Sequence, residues 1–381
     1  MTGRSMVEER EQKLHAEAVE RVGHDDFGEP TYRAGLRVVL EALDDDPGNA
    51  ALANAIERHA LDALTGRLYA EAGWKAYPSC LDTKLAPPLV ITGLPRTGTS
   101  ILHQLLCTDP QFQWMPNWIA AAPRPRPPRE EWSQAPEYLE AHRRLDEQFK
   151  ANPGVRAAHN VEAMLPEECI RLMIQSFVTM RFISTLPLPR YEKWFFEQDE
   201  VPSYRRFADN LRLIGKDCPL PWLLKNPSHS MGIEALLTVF PDARIVITHR
   251  DPIASIASGA STIQRSAGSL WSDQNAIGPH RLRIWSRAAR RLEAARKARP
   301  NQFVEIEYDR ILADPIGATT DIYERFGLEQ TSQTVTAMRD WLASNPQGKH
   351  GKHEYRLQDT GLTAEAIAAE LSDYQLRYGY A

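Results

Sequence analysis

The sequence predicts an α/β fold: a parallel sheet flanked by helices, with a helical N-terminal extension and a helical insertion. Three observations carry this. Short apolar runs rich in Val, Ile and Leu recur after residue 87, and each is followed by a segment with helical spacing. Strands alternating with helices require a parallel sheet covered on both faces. Two other stretches, residues 1–86 and about 120–220, read as helix without such strands, so the expected organisation is an extension (1–86) and an α/β domain (87–381) carrying the insertion.

The extension is helical because Leu36, Val39, Leu40 and Leu43 fall on one face before the DDDPGN break. Leu52, Ile56, Leu61 and Leu64 do the same after it. Next comes PPLVITGLPRTGTSILHQLL, Pro87 to Leu106. It reads as a strand at Leu89 to Ile91, a loop with Gly93 and Gly98, and a helix carrying Ile101, Leu102, Leu105 and Leu106. In AAPRPRPPREEW, four prolines within six residues fit neither helix nor central strand and predict an extended surface crossing. Residues 133–215 are helical and aromatic, with Tyr191, Trp194, Phe195, Phe196, Tyr204 and Phe207. The alternation then resumes: PWLLK as strand, SHSMGIEALLTVF as helix, ARIVITH as strand and DPIASIASGAS as helix. A basic helix around 280–298, the strand QFVEIEY and the helix DPIGATTDIYERFG follow.

Composition narrows the function classes. With 381 residues and 43% hydrophobic content the chain can bury a large core, and its net charge of −5 disfavours nucleic-acid partners. Its four cysteines are widely spaced with no Cys-x-x-Cys pair, which suggests neither a zinc site nor a disulfide framework. No metal is expected. The N-terminus lacks an apolar signal core, and no run reaches the roughly 18 apolar residues of a membrane span. A cytoplasmic protein without a membrane span is the expectation. No stretch is apolar enough to demand an interface between copies, so the oligomeric state stays open.

The loop after the first strand has the build of an anion cradle. A helix N-terminus offers unpaired N–H groups and the positive end of the helix dipole, while Arg96, Thr97, Thr99 and Ser100 add side-chain donors around Gly98. A nucleoside-triphosphate loop would carry Lys after its last glycine, and here that position is Thr99. This counts against a magnesium-dependent triphosphate. A second anion site is indicated by RIVITHRDPIASIASGAS, where Arg250 follows a β-branched strand at the edge at which α/β sheets bind ligands. Asp251 and Pro252 start the next helix, and Asp251, Ser255 and Ser258 share one of its faces. The HRD triplet is not a protein-kinase loop, since the position needing Asn is Ile256.

Two such sites resemble the nucleotide-dependent sulfotransferases, whose donor, 3′-phosphoadenosine 5′-phosphosulfate (PAPS), carries a 5′-phosphosulfate and a separate 3′-phosphate. PRTGTS is similar to that family's first motif, with Arg96 in the basic position and Thr97, Gly98, Thr99 and Ser100 following. Arg250 and Ser258 match the spacing of its second motif, and FVEIEYDRILADP looks like its strand, Tyr, acidic, Leu, Asp-Pro signature. GLPRTGTS, LPEEC, LLKNPSH and FPDARIVITHRDP together look most like the bacterial-type branch. The resemblance implies a P-loop-NTPase-like sulfotransferase fold, PAPS as donor with 3′,5′-adenosine bisphosphate (PAP) as product, and a small or lipophilic hydroxyl acceptor. A basic loop that closes over the 3′-phosphate in relatives has a possible counterpart in NPQGKHGKHEYR through Lys349, Lys352 and Arg356. The alternative is a solvated basic loop.

Sulfuryl transfer needs in-line positioning, charge neutralisation and a base. Lys225, at the end of PWLLK, is the candidate for stabilising the leaving oxygen. Cytosolic relatives read Lys-Thr-His there, whereas this chain reads KNPSH: Pro227 takes the His position and His229 lies two residues on. His229 is one candidate base, with helix capping as its other reading. Glu167 and Glu168, in AMLPEECIRL, are the others, although a helix dipole also favours acids in a first turn. His103 and His159 have spacings that assign them no role. Trp114, Trp118 and the insertion's aromatic residues would line the acceptor pocket if they faced the donor, and would form helical core otherwise. Two rivals remain: a P-loop nucleotide kinase or NTPase, which lacks an evident Walker-B strand here, and a non-catalytic nucleotide-binding module.

Overall fold

The structure, a computed structural model, describes residues 6–151, 162–346 and 356–380. Three helices open the chain: α1 (Met6–Val22), α2 (Tyr32–Glu41) and α3 (Ala50–Ala76). The side chain of Asn49, the last residue of the sequence break, accepts the Leu52 N–H and caps α3. Then come β1 (Leu89–Gly93) and α4 (Thr99–Leu106). The insertion holds α5 (Asn117–Ala121), α6 (Pro136–Ala151), α7 (Ile170–Met173), α8 (Arg181–Thr185), α9 (Pro189–Phe195) and α10 (Val201–Ile214). The alternating part continues through β2 (Leu223–Lys225), α11 (Ile233–Val239), β3 (Arg244–His249), α12 (Pro252–Ala267), α13 (Ile277–Ala298), β4 (Phe303–Glu307), α14 (Tyr308–Ala313) and α15 (Pro315–Phe326). Helices α16 (Ser332–Ser344), α17 (Ala364–Glu370) and α18 (Ser372–Tyr378) follow.

The four strands form one parallel sheet in the order β2-β1-β3-β4. β1 is central and buried along its whole length, as a strand covered on both faces must be. Its register pairs Ile91 with Lys225 on one side and Gly93 with Thr248 on the other. That register brings the ends of β1, β2 and β3 to one edge of the sheet.

Two large hydrophobic clusters, with a small third one at Ala260, Ile263, Trp271 and Ile277, fill the interior. One surrounds the sheet, with Val90, Ile245, Leu224, Phe207 and Trp118. The other joins Leu36, Ile56 and Leu64 of the opening helices to Phe182 and Tyr191 of the insertion and to Trp285 of α13. Tyr191, Phe195, Tyr204, Phe207, Trp114 and Trp118 are all buried in these clusters, the simpler of their two expected roles.

Two elements differ from expectation. The helix expected over SHSMGIEALLTVF is divided into a 3₁₀ turn at Pro227–Ser230, capped by the Asn226 side chain, and α11. Gly232 lies at the division because the Tyr204 ring packs against its Cα, where a Cβ would be 2.8 Å from two ring-side atoms. The proline segment is half-buried rather than a surface crossing. Arg126 anchors it, donating to the Trp114 carbonyl and to Gln113 Oε1 at 3.0 Å, with its guanidinium over Trp222. Among the described residues no helix is long and apolar enough to cross a membrane.

Candidate active site

The loop from β1 to α4 is pinned from below. Thr97 Oγ1 donates to the Leu94 carbonyl at 2.6 Å and lies 2.6 Å from Thr248 Oγ1, and Ser255 Oγ donates to the Pro95 carbonyl at 2.6 Å. Thr97 is fully buried, so what it can offer an anion is its backbone N–H rather than its hydroxyl. Gly98 has φ of +91° and a Cβ there would lie 3.1 Å from both Tyr308 and Ile311, so conformation and space both require glycine. Arg96 adopts φ of +69°, a left-handed geometry uncommon and costly for a side-chain-bearing residue. The strained residue is exposed.

Arg96, Arg250 and Ser258 are brought together as the sequence implied. Arg96 Nε donates to Ser258 Oγ at 3.3 Å, and Arg250 Nη1 donates to the Arg96 carbonyl at 3.3 Å. The Arg250 guanidinium lies over the Tyr308 ring, 4.2 Å from its centroid. Asp251 caps α12 by accepting the Ile253 N–H at 2.9 Å, which fixes the direction in which Arg250 leaves the sheet.

Lys225 ends β2 on the other side of β1. It is 4% exposed, and its Nζ donates to Ser100 Oγ at 3.2 Å and meets Glu168 Oε1 at 2.5 Å. Thr99 is buried at the start of α4, and Ser100 faces solvent. The Glu168 carboxylate is open enough for an exchangeable partner, at 35% exposure. Glu167 is turned elsewhere: it accepts from Asn117 Nδ2 and from the Glu168 N–H, and pairs with Arg171 at 3.6 Å.

His229 does not join this cluster. It has 0% exposure, its Nδ1 lies 2.9 Å from the Tyr204 hydroxyl, and its Nε2 has no hydrogen-bond partner. Burial alone drives its pKa down to about 3. His103 is likewise buried, and burial together with Lys225 holds its imidazole well below the usual range. His159, Lys349 and Lys352 lie outside the described residues, and Arg356 is exposed.

Sequence reasoning missed two contributors. Tyr308 was visible in the third motif but had no role until the structure set it between Arg250 and Gly98. Tyr374 gave no local signal: from α18 its hydroxyl accepts the Arg250 N–H at 3.3 Å, while Tyr378 stacks on His249 at 4.0 Å. The C-terminal helix thus braces the strand end that carries Arg250. Among the described residues no three His, Cys, Asp or Glu side chains are grouped to hold a metal ion. The donors are guanidinium, ammonium, hydroxyl and backbone N–H groups in two sets on either side of β1, an arrangement suited to a ligand with two separated anionic groups.

Comparison with known proteins agrees with this geometry. A family model described as "Sulfotransferase family" matches residues 87–333. The chain is 25% identical over 312 residues to the omega-hydroxy-beta-dihydromenaquinone-9 sulfotransferase Stf3 of Mycobacterium tuberculosis, covering 77% of this chain and 75% of that protein. Among solved structures, it is similar to the sulfotransferase STF1 of Mycobacterium tuberculosis, with a TM-score of 0.86 and 36% identity over 95% of this chain and 98% of that one. It is also similar to STF9 of Mycobacterium avium, with a TM-score of 0.84, 30% identity and coverage of 96% and 95%. From the loop that lacks a Walker lysine, the two cationic strand ends and these likenesses together, the chain belongs to the sulfotransferase family, in its bacterial-type branch.

Proposed function

We propose that the protein transfers a sulfuryl group from PAPS to a hydroxyl of a lipophilic acceptor, with Glu168 as the general base. The observation that carries this reading is the pair of cationic sets flanking one loop, Lys225 with Ser100 on the β2 side and Arg96, Arg250 and Ser258 on the β3 side. The residues fit the donor: guanidiniums and hydroxyls suit a phosphate ester, and the space under Gly98 that a Cβ would fill keeps the loop backbone close to Tyr308. Thr97, Gly98, Thr99 and Ser100 would hold the 5′-phosphosulfate through backbone N–H groups and the two hydroxyls near the helix start. Arg250 and Ser258 would hold the 3′-phosphate, and Arg96 bridges the two sets.

When bound, PAPS supplies an electrophilic sulfuryl group with a bisphosphate nucleotide as leaving group. Lys225 neutralises charge on the leaving oxygen, as positioned cations do in the related phosphoryl case. Its ammonium is shared between Ser100 and Glu168, so turning it toward the donor releases the carboxylate to take the acceptor's proton. His229 is a poor base in its sealed position, because burial holds its pKa near 3. A lipophilic acceptor is supported by the hydroxylated dihydromenaquinone in the name of Stf3.

Thermal unfolding with PAP, compared with ATP plus magnesium, tests the reading. A ligand at a hundred times its dissociation constant stabilises by about 2.7 kcal/mol. Stabilisation by PAP alone is expected, and stabilisation only by ATP with magnesium would replace this reading by a nucleotide kinase.

A further inference from the structure

Arg281, on α13, is a buried charge that the site above leaves unused. It is 6% exposed. The Glu192 carboxylate of α9, which meets this stretch of α13, is already held by Arg283 at 2.9 Å and His280 at 3.3 Å. Among the described residues Arg281 has no ion pair of its own. Its Nη1 donates to the Ser184 carbonyl at 2.9 Å, Nε has no hydrogen-bond partner, and the guanidinium lies over Trp285.

The other side of the guanidinium rests on α12. A Cβ on Gly259 would lie 3.1 Å from Nη2 and 3.2 Å from Nε, so the glycine after Ser258 is what lets Arg281 approach the helix. Burial pushes this guanidinium down to about 10, and the charge acting on it in the same direction is Arg96. A buried cation facing other cations is unfavourable unless an anion joins them. Capping α8 explains one of its N–H groups and leaves the charge unexplained.

We propose that Arg281 belongs to the donor site, as a guanidinium behind Ser258 and Gly259 whose charge, with those of Arg96 and Arg250, is met by the donor's 3′-phosphate. This rests on reading Arg250 and Ser258 as the 3′-phosphate end. Arg281 acts at the 3′ end because Gly259 adjoins Ser258, whereas Lys225 serves the opposite side of β1.

The test is calorimetric titration of PAP and of 5′-AMP, which lacks the 3′-phosphate, into the wild-type chain and the variants Arg281→Met and Arg281→Lys. Melting of the ligand-free proteins accompanies it. The wild type should prefer PAP. Arg281→Met should lose about tenfold in PAP affinity, equivalent to about 1.4 kcal/mol, and less than about twofold for 5′-AMP, with Arg281→Lys in between. Its ligand-free melting temperature should be no lower than the wild type's, because an unpaired buried charge has been removed. A wild type that binds both nucleotides equally would overturn the reading of the 3′ end itself. A PAP preference intact in Arg281→Met would overturn this inference alone. Equal weakening of both nucleotides with a lowered ligand-free melting temperature would make Arg281 a helix cap and overturn it as well. If Arg281→Met does not fold, Arg281→Lys decides on the same PAP to 5′-AMP ratio.

Discussion

Lys225 is a buried ammonium with two oxygens in reach, and which of them it holds decides what Glu168 can do. Replacing Glu168 with Gln keeps the shape and removes the carboxylate charge. We expect Glu168→Gln to bind PAP within about threefold of wild type while turnover falls on the order of a hundredfold or more. Glu167→Gln, whose parent carboxylate faces Asn117 and Arg171, should lose far less. His229→Asn should retain turnover and lower the melting temperature, because it breaks the buried contact with Tyr204, at a cost of about 1–3 kcal/mol. Turnover measured alongside PAP titration checks all three, and a collapse of turnover in His229→Asn with Glu168→Gln unaffected would reverse the assignment of the base. The sequence put His229, Glu167 and Glu168 in view but could not separate them. What sets His229 apart is packing: Tyr204 and Phe207, some 20 residues before it, close over it. The contact between Lys225 and Glu168 spans 57 residues, and no local pattern announces such a pair.

At the scale of elements, the loop between β1 and α4 was legible because its requirements are local: glycine where φ is positive, hydroxyls and a cation around a helix start. Two of its features were unforeseen: the inward turn of the Thr97 hydroxyl, and the left-handed backbone of Arg96, which no residue preference indicates. That geometry gives a stability prediction. Arg96→Gly and Arg96→Ala both remove the guanidinium and should weaken PAP binding alike, yet the glycine variant should be more stable than the alanine variant by about 1 kcal/mol. Denaturant unfolding of the two checks this, and equal stabilities would show that the loop relaxes once the side chain is gone. The helix after β3 was read from its cap, Asp251, and the opening helices from spacing, whereas the Asn49 cap emerged from the structure. The split at Gly232 was not legible, since the groups that crowd it, the Tyr204 ring and the Glu200 carboxylate, come from a distant part of the chain.

At the scale of the whole molecule, Glu200 is where α10, α13 and the segment after β2 meet: it lies 3.4 Å from Arg291, which also holds the Met231 carbonyl. Burial raises its pKa from 4.5 to about 7, against the pull of Arg291. The folded chain therefore holds this proton more tightly than the unfolded one. The resulting stabilisation is complete below about pH 4.5 and is lost as pH rises through 7, on the order of 3 kcal/mol in all. Melting temperatures of wild type and Glu200→Gln compared between pH 5 and 8 should diverge as pH rises, with wild type falling behind; a constant gap would show that Glu200 titrates normally. The sheet order has a different consequence. Lys225 and Arg250 leave strands that lie two places apart, and because Lys225 is level with Val246, Arg250 also stands four residues further along, so their starting points are separated by roughly 16 Å. That interval is set by the backbone ladder and works as a caliper. Substitutions in the loops can change how hard the two cations grip an anion, while the interval between them stays fixed until the strands themselves are rearranged.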